Sequence, residues 1–306
     1  MRTAMQVLRD LPSPAKLNLF LHVVGRRADG YHLLQTAFRF IDLQDTLHLR
    51  ERADGRVLRG SGPDGVPAEQ DLTVRAARLL QEATGCGRGV EIDVEKRIPM
   101  GGGLGGGSSD AATVLIALNR LWGTGLDRGA LMALALRLGA DVPVFVFGRN
   151  AFAEGVGEEL APLALPPRWY VVAQPDASVP TAEVFGAPEL TRNTPRVKIT
   201  DFPAGAHGFF GRNDLEAVAF ARYPQVGQAH RLMSQALANA GADAPAVRMS
   251  GSGACLFVEC HSRQQADWAH DRIAAKMRVG PGGLQLKLLR TCAGLEAHPL
   301  QDWVAG

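Results

Sequence analysis

Residues 99–110 read Pro-Met-Gly-Gly-Gly-Leu-Gly-Gly-Gly-Ser-Ser-Asp, with six glycines in the seven positions 101–107. An alternating, strand-like stretch enters this run over residues 90–98, and an apolar, helix-like stretch leaves it over residues 109–122. Glycine at such density costs backbone entropy, so a folded chain keeps it where the backbone must bend sharply or lie against a ligand. A loop of this kind opening a helix turns unpaired N–H groups and the positive end of the helix dipole to one point. That arrangement suits a phosphate chain. A flexible linker is the competing reading, but linkers seldom join a strand to a helix or carry Met100 and Leu104.

The kind of phosphate loop is narrowed by what the run lacks. A P-loop ends in Gly-Lys-Ser/Thr, whereas Gly106-Gly107-Ser108 brings no lysine. A dinucleotide fingerprint fits formally at Gly101, Gly103 and Gly106, but almost any glycine pattern fits so rich a run. That fold also needs a second strand soon after the helix, ending in an acidic residue about twenty positions on. The residue there, Asp127, reads instead as the N-cap of another helix, with Leu131, Leu134, Ala135 and Leu138 at helical spacing and Gly139 closing it. Two helices in succession argue against dinucleotide binding.

A chain of 306 residues is long enough for two domains, and 46% hydrophobic with 21% charged residues is a globular composition. The formal charge of +2 offers no broad attraction to nucleic acid or membrane surfaces. Only five residues are lysine against many arginines, which makes a lysine inside a motif, such as Lys16, a chemical choice. Cys86, Cys255, Cys260 and Cys292 form no metal-ligand spacing and read as free thiols of a reducing compartment. Residues 1–11 lack the apolar core of a signal peptide, and no apolar stretch approaches the roughly 18 residues of a membrane span. A cytoplasmic protein is expected.

Along the chain, residues 16–24 alternate as a strand, with Leu17, Leu19, Leu21 and Val23 on one face and Lys16, Asn18, Phe20 and His22 on the other. Residues 33–43 are ambiguous. Asp54-Gly55 between strand-like residues 46–50 and 57–59 signals a hairpin. Residues 71–83 form an amphipathic helix, and a strand pair is expected around Phe152 and Glu154. Pro162, Pro166 and Pro167 mark a boundary that divides the chain into domains 1–165 and 166–306. Beyond it lie strands at 169–173, 255–258 and 284–289, and helices at 217–221, 224–240 (closed by Gly241) and 266–277. Such irregular alternation points to an α+β fold and not to a doubly wound sheet.

Three segments together resemble the GHMP small-molecule kinases: Pro-Ala-Lys-Leu-Asn-Leu at 14–19, the glycine run at 99–110 and Ser-Gly-Ser-Gly-Ala-Cys at 250–255. Ala-Asp-Gly-Tyr-His at 28–32 and Gly-Ala-Asp-Val-Pro at 139–143 add to them, and the resemblance is weakest over residues 191–220. It implies a two-domain α+β GHMP kinase fold, with a first domain like ribosomal protein S5 domain 2 and a ferredoxin-like second domain. It further implies ATP as co-substrate with Mg²⁺, acting on a hydroxyl in the erythritol portion of a cytidine-diphosphate-linked small molecule on a route to isoprenoids. The implied assembly is a monomer or weak homodimer, with neither nucleic acid nor membrane as partner.

Carried onto this chain, the resemblance assigns catalysis to Lys16 and Asp141. It assigns ATP to Lys96, Pro99, Met100, Gly101, Gly102, Gly103, Leu104, Gly105, Gly106, Gly107, Ser108 and Ser109. The acceptor substrate falls to Asn18, Tyr31, His32, Thr181 and Phe185, and no residue is assigned as a metal ligand. Each has a plainer alternative. Asp141 suits a helix cap, Lys16 a protective edge-strand charge, Lys96 a surface lysine at a strand end, and Phe185 a core residue. Ser108 and Ser109 read first as helix N-caps, and Asp110 should face away from phosphate. One departure stands out: Asp71 occupies the place where relatives usually carry an adenine-contacting Asn, and it lacks the amide donor. Other readings are a homoserine- or mevalonate-type kinase, or a nucleotide sensor without catalysis. RNA binding lacks a basic patch with interleaved aromatics.

Overall fold

The computed structural model describes residues 5–201, 210–238, 245–278 and 284–305. Its first layer grows from one long ribbon. β1 (Val7–Arg26) and β2 (His32–Arg52) pair antiparallel, turning at residues 27–31, where the Arg27 N–H donates to the Tyr31 carbonyl at 2.7 Å. Along its other edge β2 serves two neighbours in succession. Residues 46–52 pair with β4 (Gly89–Glu95), and Thr36, Ala37 and Phe38 pair with β5 (Ala151–Glu154). β3 (Val57–Arg59) lies beyond β4, and β6 (Glu159–Pro162) beyond β5.

The hairpin expected at Asp54-Gly55 does not form between its flanking strands: β3 runs parallel to β4, which sits between β3 and β2. The reason is burial. β4 places Val90, Ile92 and Val94 in the core, so it takes the β2 edge in preference to a three-residue strand. The alternation expected along residues 16–24 is also broken. The β1–β2 register shifts between Asn18 and Leu21, so Phe20 joins Leu17 and Leu19 in one cluster while Leu21 and Val23 pack in another. Lys16 and Asn18, ahead of the irregularity, stay side by side.

Four helices cover one face of this sheet: α1 (Leu72–Thr84), α2 (Gly106–Trp122), α3 (Arg128–Leu138) and α4 (Val142–Phe147). Asp71 caps α1 by accepting from the Thr73 N–H, and Asp127 caps α3 by accepting from Ala130, each worth about 1 kcal/mol. Residues 109–119 of α2 are buried on every side, which places this helix in the core between β1, α1 and α4.

The second layer orders its strands β10-β7-β9-β8, all antiparallel: β7 (Trp169–Pro175), β8 (Val247–Met249), β9 (Leu256–Cys260) and β10 (Leu286–Ala293). α5 (Thr181–Phe185), α6 (Glu216–Arg222) and α7 (Pro224–Leu237) intervene between β7 and β8, and α8 (Arg263–Arg278) between β9 and β10. This is the ferredoxin-like βαββαβ succession. α7 ends at Leu237; the expected continuation to Ala240 and Gly241 lies outside the described residues. Strand β7 shows why the layers cohere. Val171 and Ala173 face the helices, while Tyr170 and Val172 pack with Leu17, Ile41 and Phe257 between the two sheets. The chain then returns: Leu300 and Val304 enter the first core, and Arg128 donates to the carbonyls of Gln301 (2.8 Å) and Val304 (3.0 Å). Among the described residues no helix is long and apolar enough to cross a membrane.

Candidate active site

The glycine run is held from two sides. Its Leu104 carbonyl accepts from the Lys16 N–H at 3.0 Å, and the carbonyls of Gly101 and Gly102 accept from Ala254 and Cys255 at 3.1 Å. Both glycine turns singled out in the sequence therefore meet. At Gly103 the backbone is left-handed (φ 71°), and a Cβ there would lie 2.2 Å from the Ser250 carbonyl oxygen, so only glycine fits. Gly105, also left-handed (φ 73°), is the N-cap of α2. Neither Ser108 nor Ser109 caps the helix, because both lie inside its first turn. Ser109 N–H closes the first helical bond to Gly105 at 2.8 Å, which leaves the N–H groups of Gly106, Gly107 and Ser108 at the open end.

These groups border a cavity of about 310 Å³ walled by residues 98–108, with Leu72 at one side. Pro99, Met100, Leu104 and all six glycines of the run line it, as does Lys96. Ser109 does not. It is buried, its hydroxyl donates to the Pro14 carbonyl at 2.7 Å, and its amide is used by the helix, so the phosphate contact expected of it is corrected to a structural one. Asp71 is likewise committed, accepting from Thr73 N–H (2.9 Å), Thr73 hydroxyl (2.7 Å) and Arg59 (3.2 Å) at 5% exposure.

Lys96 reaches the cavity wall with its charge already balanced. Its ammonium donates to the carboxylates of Asp45 and Asp110, the latter at 2.7 Å. One ammonium neutralises one carboxylate, and Asp45 also accepts from the N–H groups of Arg97 and Ile98. Asp110 bears the cost: burial above all, then the nearby Asp45, push its carboxyl up to about 7 against the attraction of Lys96. The surroundings suit a neutral acid. Ser13 Oγ lies 2.8 Å from both Asp110 Oδ1 and Ser109 Oγ, so a proton on Asp110 lets it donate to Ser13 and frees Ser13 to donate onward.

A pH dependence follows. The folded chain holds the Asp110 proton that the unfolded chain releases near its ordinary 3.8, so this group lowers stability as pH rises from about 4 to about 7, with no further loss above. Asp110→Asn should remove that slope. Urea unfolding of parent and variant at about pH 4 and about pH 8 should show the variant gaining by more than about 1 kcal/mol between the two. An unchanged difference would refute the assignment.

A second cavity of about 690 Å³ opens on the far side of Gly103. Lys16 sits at its floor, 2% exposed, donating to Asn18 Oδ1 (2.6 Å) and to the Gly103 carbonyl (3.0 Å), with Asp141 Oδ2 at 3.4 Å. Asn18 in turn donates to the Thr36 hydroxyl at 2.9 Å, which fixes its amide with the oxygen toward Lys16. Asp141 begins α4 yet makes no side-chain cap bond, so its half-exposed carboxylate is free to face the cavities. Tyr31, His32 and Phe185 wall the other end; the His32 and Phe185 rings lie 5.1 Å apart at 39°. Burial first, then Arg192 and Arg26, hold the His32 ring below its ordinary basicity. Phe185 is thus a wall of the cavity while still packed against the second core.

The two cavities share Gly103, Ser108, Asp141, Thr181 and Ser252. Thr181, expected near the cytidine end, lines both cavities at this junction, its hydroxyl 2.9 Å from that of Ser252. Sequence reasoning missed Ser252, although the turn that carries it was recognised, and missed Arg192, which lies in the segment of weakest resemblance and had no local signal.

Two ligands seated in such cavities would meet end to end across one carboxylate, and that geometry defines a class: enzymes that pass a group from a phosphate-bearing molecule to a second small molecule. The chain belongs to the GHMP kinase family, whose N terminal domain matches residues 71–149 and whose C terminal domain matches residues 205–279. Its relatives are more particular. It is 58% identical to a 4-diphosphocytidyl-2-C-methyl-D-erythritol kinase of Bordetella parapertussis, across 97% of this chain and 99% of that protein. A protein of the same name from Ralstonia nicotianae is 54% identical across 98% of each. The crystal structure of a 4-(cytidine 5'-diphospho)-2C-methyl-D-erythritol kinase superposes with a TM-score of 0.73 at 39% identity, covering 94% of this chain and 98% of that one. A homoserine kinase from Cytophaga hutchinsonii shares the fold at a TM-score of 0.66 and 16% identity.

Proposed function

We infer that this protein transfers the γ-phosphoryl group of ATP to a hydroxyl of 4-diphosphocytidyl-2-C-methyl-D-erythritol, giving the 2-phosphate on the non-mevalonate route to isoprenoids. The observation that carries this reading is the shared wall: a glycine-lined cavity suited to phosphates meets an aromatic-walled cavity at Asp141, beside Lys16. Phosphoryl transfer depends mainly on positioning and charge stabilisation. Asp141 orients the acceptor hydroxyl and takes its proton as the new bond forms. Lys16, locked by Asn18 and the Gly103 carbonyl, presents its ammonium to charge developing on the transferring group. Backbone N–H groups at the start of α2 receive the phosphate oxygens.

Mg²⁺ is part of the same reading. Among the described residues no group of three or more His, Cys, Asp or Glu is gathered to hold a metal. Hard oxygens at the junction, the Ser108 hydroxyl and the Asp141 carboxylate, fit an ion that binds mostly through substrate phosphates and water. When bound, Mg²⁺ supplies charge neutralisation for the phosphates. A monomer or weak homodimer in the cytoplasm, where ATP is supplied, completes this reading. The boundary at residues 165 and 166 fits the switch from the first sheet to the second, with the last residues returning to the first core.

A panel of acceptor alcohols offered with ATP, read by ADP release, tests the reaction; equal turnover of a cytidine-free erythritol phosphate would defeat it. His32→Ala should raise KM for the cytidine-linked acceptor by about tenfold or more, since losing a partner for a buried base edge costs about 1–3 kcal/mol. An unchanged KM would remove His32 from the site.

A further inference from the structure

The Arg192 guanidinium is spread over one short stretch of backbone and one ring. Its Nη2 donates to the carbonyls of Phe185 (3.0 Å) and Ala187 (2.6 Å), its Nη1 to Leu190 (3.0 Å), and its Nε to His32 Nε2 at 3.0 Å. The last contact settles a proton. A guanidinium is a donor only and stays charged, so the His32 nitrogen facing it must offer a lone pair. In a neutral imidazole the hydrogen then sits on Nδ1. A carbonyl partner would have forced the opposite tautomer, and a hydroxyl would have allowed either.

We propose that Arg192 is a positioning residue that holds His32 as an Nδ1–H donor and thereby makes the larger cavity select a cytosine-type base edge over a uracil-type one. This rests on the acceptor assigned above. Cytosine presents an unprotonated N3 that accepts a hydrogen bond, whereas uracil presents N3–H, which would meet Nδ1–H donor to donor. The depressed basicity of His32 agrees, because a protonated ring has no lone pair for Arg192. Arg192 also fixes the end of α5 that carries Phe185, so the ring wall and the donor are set by one side chain.

The test has two readouts. Nitrogen NMR of the histidine rings in the substrate-free protein should show His32 with hydrogen on Nδ1 in the parent and in Arg192→Lys, which still only donates. Arg192→Gln can accept through its oxygen, and Arg192→Ala has no donor; in both, the hydrogen should move at least partly to Nε2. Turnover of cytidine- and uridine-linked acceptors should show the KM preference for cytidine falling by about tenfold in Gln and Ala, with kcat little changed, and largely kept in Lys. An unchanged His32 tautomer in Arg192→Gln, or KM rising equally for both acceptors, would overturn the proposal and leave Arg192 a brace for α5. Failure of the parent to use any cytidine-linked acceptor would overturn the substrate reading instead, while the tautomer measurement, made without substrate, would still decide the role of Arg192.

Discussion

Asp141→Asn is expected to lower kcat by about 10² to 10⁴ while leaving the affinities for ATP and acceptor within a few-fold of the parent. The amide keeps the shape of the carboxylate and can still orient a hydroxyl, but it cannot take the hydroxyl proton as the bond to phosphorus forms. The structure makes this substitution unusually clean. Asp141 occupies the N-cap position of α4 without making a side-chain cap bond, so the helix start does not depend on it. Its contact in the fold is the 3.4 Å approach to Lys16, which keeps Asn18 and the Gly103 carbonyl as partners after the change. Binding measured by calorimetry, separately from kcat, distinguishes a lost base from a lost binding contact. Turnover within a few-fold of the parent would send the search for the base elsewhere.

Gly107→Val should weaken ATP binding by about tenfold or more without loss of stability. Gly105, in the middle of the run, is the less suitable position for such a test, because a side chain there confounds two effects. A side chain at Gly105 would strain a left-handed backbone by about 1–2 kcal/mol and press on Lys16 Cε at 3.1 Å, so catalysis and nucleotide binding would fail together. Gly107 lies inside α2, and a Cβ there meets only Leu72 Cδ1 at 3.7 Å, on the wall of the smaller cavity. Replacing a helical glycine favours the helix, so added stability with lost nucleotide affinity would mark occupation of the phosphate site. Unaltered nucleotide affinity would place the phosphates somewhere other than the start of α2.

Both predictions use residues found in the sequence, yet each takes its form from the fold. The glycine run was legible because its composition is unreasonable for anything except close backbone approach. Asp127 was legible as a helix start because capping is local chemistry: an acceptor meets an N–H group three residues on. The state of Lys96 was not legible. Its pairing with Asp45 and Asp110 joins a strand end, the long β2 and α2, and nothing within a few residues of Lys96 announces it. Ser109 misled for a related reason. A serine at the end of a glycine run resembles a cap until the helix is seen to start earlier, with the serine turned toward β1.

By itself the sequence determined the local pieces: a strand bearing Lys16 and Asn18, a glycine turn opening a helix, a second glycine turn at residues 250–255, and the α+β character of the whole. These follow from backbone sterics, capping and side-chain periodicity, which act over a few residues. Tertiary structure decided everything that depends on long-range pairing. It set β4 in place of β3 beside β2, and it broke the face alternation of β1 after Asn18. It also brought Asp141 to Lys16 and Arg192 to His32, contacts spanning most of a domain or more in sequence. Burial of apolar surface between two sheets is non-directional, so its outcome is fixed only when the whole chain has packed.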